Sequence, residues 1–206
     1  MTQALFIVLE GIDGSGTTTQ TDRLARHLER QGRRVHTTRE PSAGPIGRLL
    51  REILLGGHRL PDGRPADGPA MALLFAADRR DHLVREIEPA LAAGLDVVSD
   101  RYLLSSLAYQ AEEADRTWVA SLARELRTPD LTLLLDLPVP VAAERRRAAG
   151  RVEERYDADA VQERVATRYR ELCAATPNAR TLDARGTIDD VTALITRTAD
   201  DLLRAP

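Results

Sequence analysis

Short apolar runs recur along the chain, separated by longer stretches in which apolar residues return every three or four positions. The runs are Leu5–Leu9, Val35–Thr38, Leu95–Ser99, Leu131–Asp136 and Ala179–Leu182. Their length and near-continuous hydrophobicity predict strands. Between them, one helix is predicted to start at Thr18, with Leu24 and Leu28 four residues apart. Another carries Leu83, Ile87 and Leu91 and is expected to kink or end at Pro89. The last runs from Ile188 to Leu203. Strands alternating with helices predict an α/β protein, a parallel sheet covered by helices on both faces. The segment from Gly56 to Gly68, rich in Gly, Pro and Asp, predicts a surface loop, and Ala148-Ala149-Gly150 a flexible connection. No internal repeat or low-complexity tract breaks this order.

The first apolar run leads into Gly11-Ile12-Asp13-Gly14-Ser15-Gly16-Thr17-Thr18. This fits the phosphate-binding loop G-x-x-x-x-G-K-[ST] at every fixed position but one. Between a strand and a helix, such a loop offers backbone N–H groups and a helix N-terminus to phosphate oxygens. Thr18 offers a hydroxyl to Mg²⁺. The predicted sheet thereby becomes a P-loop NTPase-type three-layer fold. The departure is Thr17, which occupies the lysine position. The chain contains no lysine at all; its 29 basic residues are all arginine. Charge on a phosphoryl group must therefore be met by arginine, a metal ion or backbone.

Length and charge narrow the class. A chain of 206 residues is expected to form one domain, 1–206, with an ample core. No apolar run is long enough to span a bilayer, and no basic region precedes an apolar stretch at the N-terminus, so neither a membrane segment nor a signal peptide is expected. A net charge of -3 argues against a general nucleic-acid binder. The single cysteine, Cys173, excludes an internal disulfide and fits a reducing compartment. It is expected to be a half-buried helix residue rather than a nucleophile.

Four further motifs carry candidate chemistry. Asp100-Arg101-Tyr102 follows an apolar strand, where ligands of parallel sheets bind. There Asp100 can hold Mg²⁺ through water and Arg101 can grip a phosphate bidentately. Alone, such a pair is an ordinary ion pair. Thr38-Arg39-Glu40-Pro41 lies just past another strand and offers Arg39 as a second clamp, or as a solvated loop arginine. Phe75 and Arg79 are four apart on one helix face, suited to stacking on a base and hydrogen-bonding it, or to core packing beside a surface charge. Arg145, Arg146, Arg147 and Arg151 flank Gly150 and suit a lid, around 145–156, that brings positive charge to a transferring phosphoryl group. Three consecutive arginines point in different directions, so at most two reach one site.

Taken in order, these residues resemble the thymidylate kinase family, whose members phosphorylate dTMP with ATP. The resemblance runs from Phe6-Ile7-Val8-Leu9-Glu10-Gly11-Ile12-Asp13-Gly14 through Thr38-Arg39-Glu40-Pro41 and Leu74-Phe75-Ala76-Ala77-Asp78-Arg79. It continues from Asp100-Arg101-Tyr102 to Tyr109-Gln110, then Glu154-Arg155-Tyr156-Asp157 and Gln162. It implies a homodimer in the cytoplasm, with a five-stranded parallel sheet, Mg²⁺ as cofactor and ATP and dTMP as partners. Gly11, Gly14, Ser15, Gly16, Thr17, Thr18 and Thr19 would cradle the ATP phosphates, and Thr18 and Asp100 would hold the metal. Phe75 would stack on thymine and Arg79 would bond its edge. Arg39 and Arg101 would hold the dTMP phosphate, with Asp13 beside it. Tyr109 would pack on the deoxyribose, where a 2′-hydroxyl would crowd it. Ser105, Ser106, Gln110 and Tyr156 would line the nucleoside pocket. Arg145, Arg147, Arg151 and Arg185 would lie near ATP, one lid arginine taking the lysine's place. Two alternatives stay open: a kinase for another or modified pyrimidine nucleotide, and a nucleotide-binding protein with weak catalysis because of Thr17.

Overall fold

The computed structural model describes residues 3–152 and 154–204. Its strands are β1 (Phe6–Glu10), β2 (Val35–Arg39), β3 (Asp96–Asp100), β4 (Leu131–Asp136) and β5 (Ala179–Asp183). They form one sheet in the order β2-β3-β1-β4-β5, and every pairing is parallel. The two faces of β1 feed different cores, as the period of two requires. Ile7 and Leu9 join Leu24, Leu28, Val165 and Ile195 on one side. Phe6 and Val8 join Leu83, Ile87, Leu91 and Tyr102 on the other.

The covering helices follow the apolar spacing. Helix α1 (Thr17–Arg30) buries Leu24 and Leu28 one turn apart. After α2 (Pro45–Leu54), α3 runs from Gly68 to His82, capped by Asp67, whose carboxylate accepts from Ala70 N–H at 2.7 Å. Gly68 is thus the first residue of a helix and not the end of the loop. A side chain there would collide with Glu113.

Pro89 interrupts its helix, as expected, but just ahead of itself. The irregularity precedes it: a π-helical turn, Leu83–Ile87, separates α3 from α4 (Glu88–Ala92). Proline lacks an N–H and its ring clashes with the carbonyl four residues back. The wider π turn, bonded five residues apart, accommodates both. The chain goes on through α5 (Leu103–Tyr109), α6 (Arg116–Ser121), α7 (Val139–Ala148), α8 (Asp159–Ala175) and α9 (Ile188–Arg204). Helix α7 stops before Gly150, which takes φ +62. Cys173 on α8 is buried rather than half-buried. No helix among the described residues is long and apolar enough to cross a membrane. Of the 1–206 span and the 145–156 segment, residues 1, 2, 153, 205 and 206 lie outside the described residues.

Candidate active site

The parallel register carries the polar strand ends to one edge. Leu9 and Arg39 both pair with Asp100, so Glu10, Arg39, Asp100 and the loop after β1 meet at the carboxyl end of the sheet. A cleft of about 910 Å³ opens there. Its wall runs from the Gly14–Thr19 loop past Arg39, Asp100 and Arg101 to Phe75, Arg79, Tyr109 and Gln110.

The loop is built to receive an anion. Gly14 and Gly16 hold φ of +90 and +95, a region that side chains resist. A Cβ on Gly14 would also lie 2.4 Å from the Ala142 carbonyl oxygen, whereas Gly16 faces open space. Gly16 caps α1 without a side-chain bond, so the first-turn N–H groups at Thr17, Thr18 and Thr19 have no intrahelical acceptor. The Ser15 hydroxyl is buried without a partner. Thr17 is buried and lines the cleft, and Thr18 and Thr19 are exposed in it.

The Thr18 hydroxyl donates to Asp100 Oδ2 at 2.5 Å, while Asp100 Oδ1 is buried and unpartnered. A hydroxyl beside a carboxylate with a free oxygen is the hard-oxygen pair that Mg²⁺ takes while keeping phosphate and water ligands. Among the described residues no three His, Cys, Asp or Glu converge to cage a metal. The residues fit Mg²⁺ bound largely through a nucleotide.

Asp13 and Arg101 form the hub. Arg101 Nη2 donates to Asp13 Oδ1 at 2.9 Å, and its Nη1 donates to Gly11 O at 2.6 Å and Tyr169 Oη at 3.1 Å. Arg101 holds φ +73, a strained backbone for a residue with a Cβ. Arg101 N–H to Leu9 O at 2.8 Å and Ser99 Oγ to Arg101 O at 2.7 Å hold it there. Asp13 also accepts from Tyr109 Oη at 3.1 Å, Gln162 Nε2 at 3.2 Å and Arg151 Nη1 at 3.2 Å. Burial pushes its carboxyl up, but Arg101 and Arg151 outweigh burial and hold it below the usual aspartate range.

The base end is aromatic and donor-rich. Phe75 and Arg79 both line the cleft, one turn apart on α3. Both polar atoms of the Gln110 amide are buried without partners, which leaves a donor and an acceptor for a ligand. Tyr109 packs edge-on against Tyr156 at 5.5 Å. Ser105 lines the cleft, but Ser106 lies outside its wall and accepts from Arg79 instead.

The arginine run divides differently from its prediction. Arg145 reaches the cleft and donates to Ala184 O at 3.1 Å and Gly186 O at 3.3 Å. Arg151 reaches it, bonded to Asp13 and to Glu154 at 3.0 Å. Arg147 does not: it is exposed and turns back to Ala143 O at 3.4 Å. The inward residue is Arg146, buried and donating to Asp13 O at 2.7 Å. Successive helix residues point about 100° apart, so burying Arg146 turns Arg147 outward. Arg185 is also outside the wall, folded onto Asp183 at 2.6 Å, though Gly186 and Thr187 beside it line the cleft.

Sequence reasoning passed over three contributors. Glu10 is buried and accepts from Ser105 Oγ at 2.6 Å and Tyr169 Oη at 3.1 Å; burial raises its pKa. Arg51 on α2 lines the cleft, and burial and then the neighbouring Arg39 charge lower its pKa, so two cations crowd one wall. Glu40 anchors Arg79. A buried acid directly before the glycine loop was the one available signal, for Glu10.

A P-loop sheet with such a cleft defines the class as a nucleotide-binding phosphotransfer protein. A family model described as thymidylate kinase matches residues 9–195. The chain is 42% identical over 192 residues to a probable thymidylate kinase of Thermococcus gammatolerans, covering 91% of each chain. It is 43% identical over 201 residues to a thymidylate kinase of Bifidobacterium longum, covering 93% of this chain and 95% of the other. The chain belongs to the thymidylate kinase family.

Proposed function

We propose that this protein transfers the γ-phosphoryl group of ATP to the phosphate of dTMP, giving dTDP and ADP. One observation carries the reading: a single cleft joins an open-ended P-loop to an aromatic–arginine helix face, with strand-end arginines in its wall. An oxygen of the dTMP phosphate attacks the γ-phosphorus as the bond to the ADP oxygen breaks. Arg39 and Arg101 hold the acceptor phosphate, and Asp13 fixes Arg101 and the lid arginine Arg151 on one carboxylate. The loop N–H groups, Ser15 and Thr19 hold the donor phosphates. Arg145 lies beside the donor nucleotide. Thr18 and Asp100 hold Mg²⁺, which when bound neutralises charge on the phosphates. Tyr109 packs on the deoxyribose, while Gln110 and Arg79 read the base.

The protein acts as one domain with a closing lid around Gly150, as a homodimer in the cytoplasm. The buried, unpaired Cys173 suits a reducing compartment. A coupled ADP-release assay with ATP, Mg²⁺ and dTMP should give turnover far above a boiled control; none would sink the reading. Phe75→Ala should weaken dTMP binding about tenfold or more, since a stacked base typically contributes ~1–3 kcal/mol. Calorimetric titration of the folded variant checks this, and an affinity within threefold of the parent would remove Phe75 from the site.

A further inference from the structure

Beside the base end of the cleft lies a buried polar cluster that phosphate chemistry does not use. Arg79, His82 and Glu40 are 2%, 2% and 6% exposed. Arg79 Nε donates to Glu40 Oε2 at 2.9 Å, and its Nη2 donates to Ser106 Oγ. The other Glu40 oxygen lies 3.2 Å from His82 Nδ1. His82 Nε2 lies 2.7 Å from Thr38 Oγ1 and 3.6 Å from Glu86 Oε2. Glu86, on the π turn, is bound by His36 at 2.9 Å. The backbone around Glu40 is fixed as well. Its N–H donates to Asp100 O at 3.0 Å, and Ser42 gives Asp78, the neighbour of Arg79, two bonds of 2.7 and 2.6 Å.

We infer that Glu40 and His82 are positioning residues that lock the Arg79 guanidinium, and so make the pocket demand a carbonyl rather than an amino group on the base. The inference deepens the reading of the cleft as a dTMP site and rests on it. A guanidinium has five donors and no acceptor. Glu40 and Ser106 engage donors on two of its nitrogens, which fixes the plane and rotation of the fork. A pyrimidine with a carbonyl at position 4 can accept from the remaining donors. An amino group there would set donor against donor and leave buried guanidinium N–H groups unsatisfied, a penalty that makes polar pockets strongly selective. An arginine free to swivel would give way and lose this discrimination. His82 completes the lock. Without it Glu40 would keep one buried oxygen unpaired, and half-satisfied networks do not hold a single geometry. Thr38 in turn satisfies the second imidazole nitrogen.

The test compares His82→Leu, His82→Asn and Glu40→Gln in the full chain. Asparagine can place an amide nitrogen near the imidazole Nδ1 position, so it should rescue. For His82→Leu and Glu40→Gln, the preference for dTMP over dCMP in kcat/KM should narrow about tenfold or more. The KM for dTMP should rise while kcat changes far less, and His82→Asn should recover most of the loss. In the ligand-free protein, NMR should show the Arg79 Nε–H protected from exchange in the parent and exposed in His82→Leu and Glu40→Gln. Thermal melting identifies any variant that does not fold, and Glu40→Gln supplies the same readouts if His82→Leu fails. Unchanged base preference and unchanged Nε–H protection in a folded variant would overturn the inference. If the parent does not phosphorylate dTMP, the functional reading falls, and the Nε–H exchange alone decides whether Glu40 and His82 lock Arg79.

Discussion

Replacing Arg101 by alanine should lower kcat/KM for dTMP by about a thousandfold or more. Three links lead to this size. The side chain is the proposed bidentate clamp on the acceptor phosphate, and charge-assisted forks are the strongest hydrogen bonds available there. It also ties the Gly11 carbonyl, Ser105, Tyr169 and Asp13 into one hub, so its removal loosens the P-loop and the acceptor site together. Finally, it removes one of the two cations paired with Asp13, leaving Arg151 as the other. The backbone permits a control. At φ +73 an alanine carries the same strain as arginine, whereas glycine does not. Arg101→Gly should therefore be the more stable variant, by about 1 kcal/mol, yet equally inactive. Steady-state kinetics and chemical unfolding of both variants check the pair. Activity within tenfold of the parent would show that the acceptor phosphate is held elsewhere, with Arg39 and Arg51 among the other cations in the wall.

The limits of sequence reading follow a physical pattern. The central strands β1, β3 and β4 are buried and read as largely apolar runs, whereas the edge strands β2 and β5 are partly exposed and carry polar residues. Yet four of the five ends fall one residue short. Runs predicted to stop at Leu9, Thr38, Ser99 and Leu182 continue to Glu10, Arg39, Asp100 and Asp183. In each case the added residue is charged, and Arg39 and Asp100 line the cleft. Hydropathy stops where the carboxyl edge turns to chemistry. The P-loop and the residues proposed to bind dTMP were legible because local spacing fixes them to strand ends or to one helix face. Which of three consecutive arginines turns inward was not, because it depends on how α7 docks on the P-loop. The Glu40–His82–Glu86 cluster was equally hidden, since it joins β2 to a π turn that no spacing rule announces.

Arg151→Ala should cut kcat by about a hundredfold or more, whereas Thr17→Lys should change it little. The chain has no lysine, and phosphoryl transfer is mostly positioning plus neutralisation of spreading charge. The candidates for that charge are now fewer. Arg147 is turned away from the cleft, Arg146 is committed beneath the loop to the Asp13 carbonyl, and Arg145 is bonded to the Ala184 and Gly186 carbonyls. Arg151 remains, one residue past Gly150, held at 3.2 Å by the same carboxylate that binds Arg101. Asp13 thus positions an acceptor-side and a lid-side cation at one point. Its depressed pKa keeps it charged for both, and acid strong enough to protonate it would weaken both contacts. A lysine at position 17 would grow from a buried helix start into a cleft whose wall already carries seven arginines, so a modest gain or even a loss is expected. Single-turnover kinetics at saturating ATP and dTMP measure the chemical step directly. If Thr17→Lys instead raises it by orders of magnitude while Arg151→Ala leaves it within threefold, the lid does not replace the lysine. The protein would then be a nucleotide-binding member of its family with residual catalysis, and the retained dTMP pocket would serve binding rather than turnover.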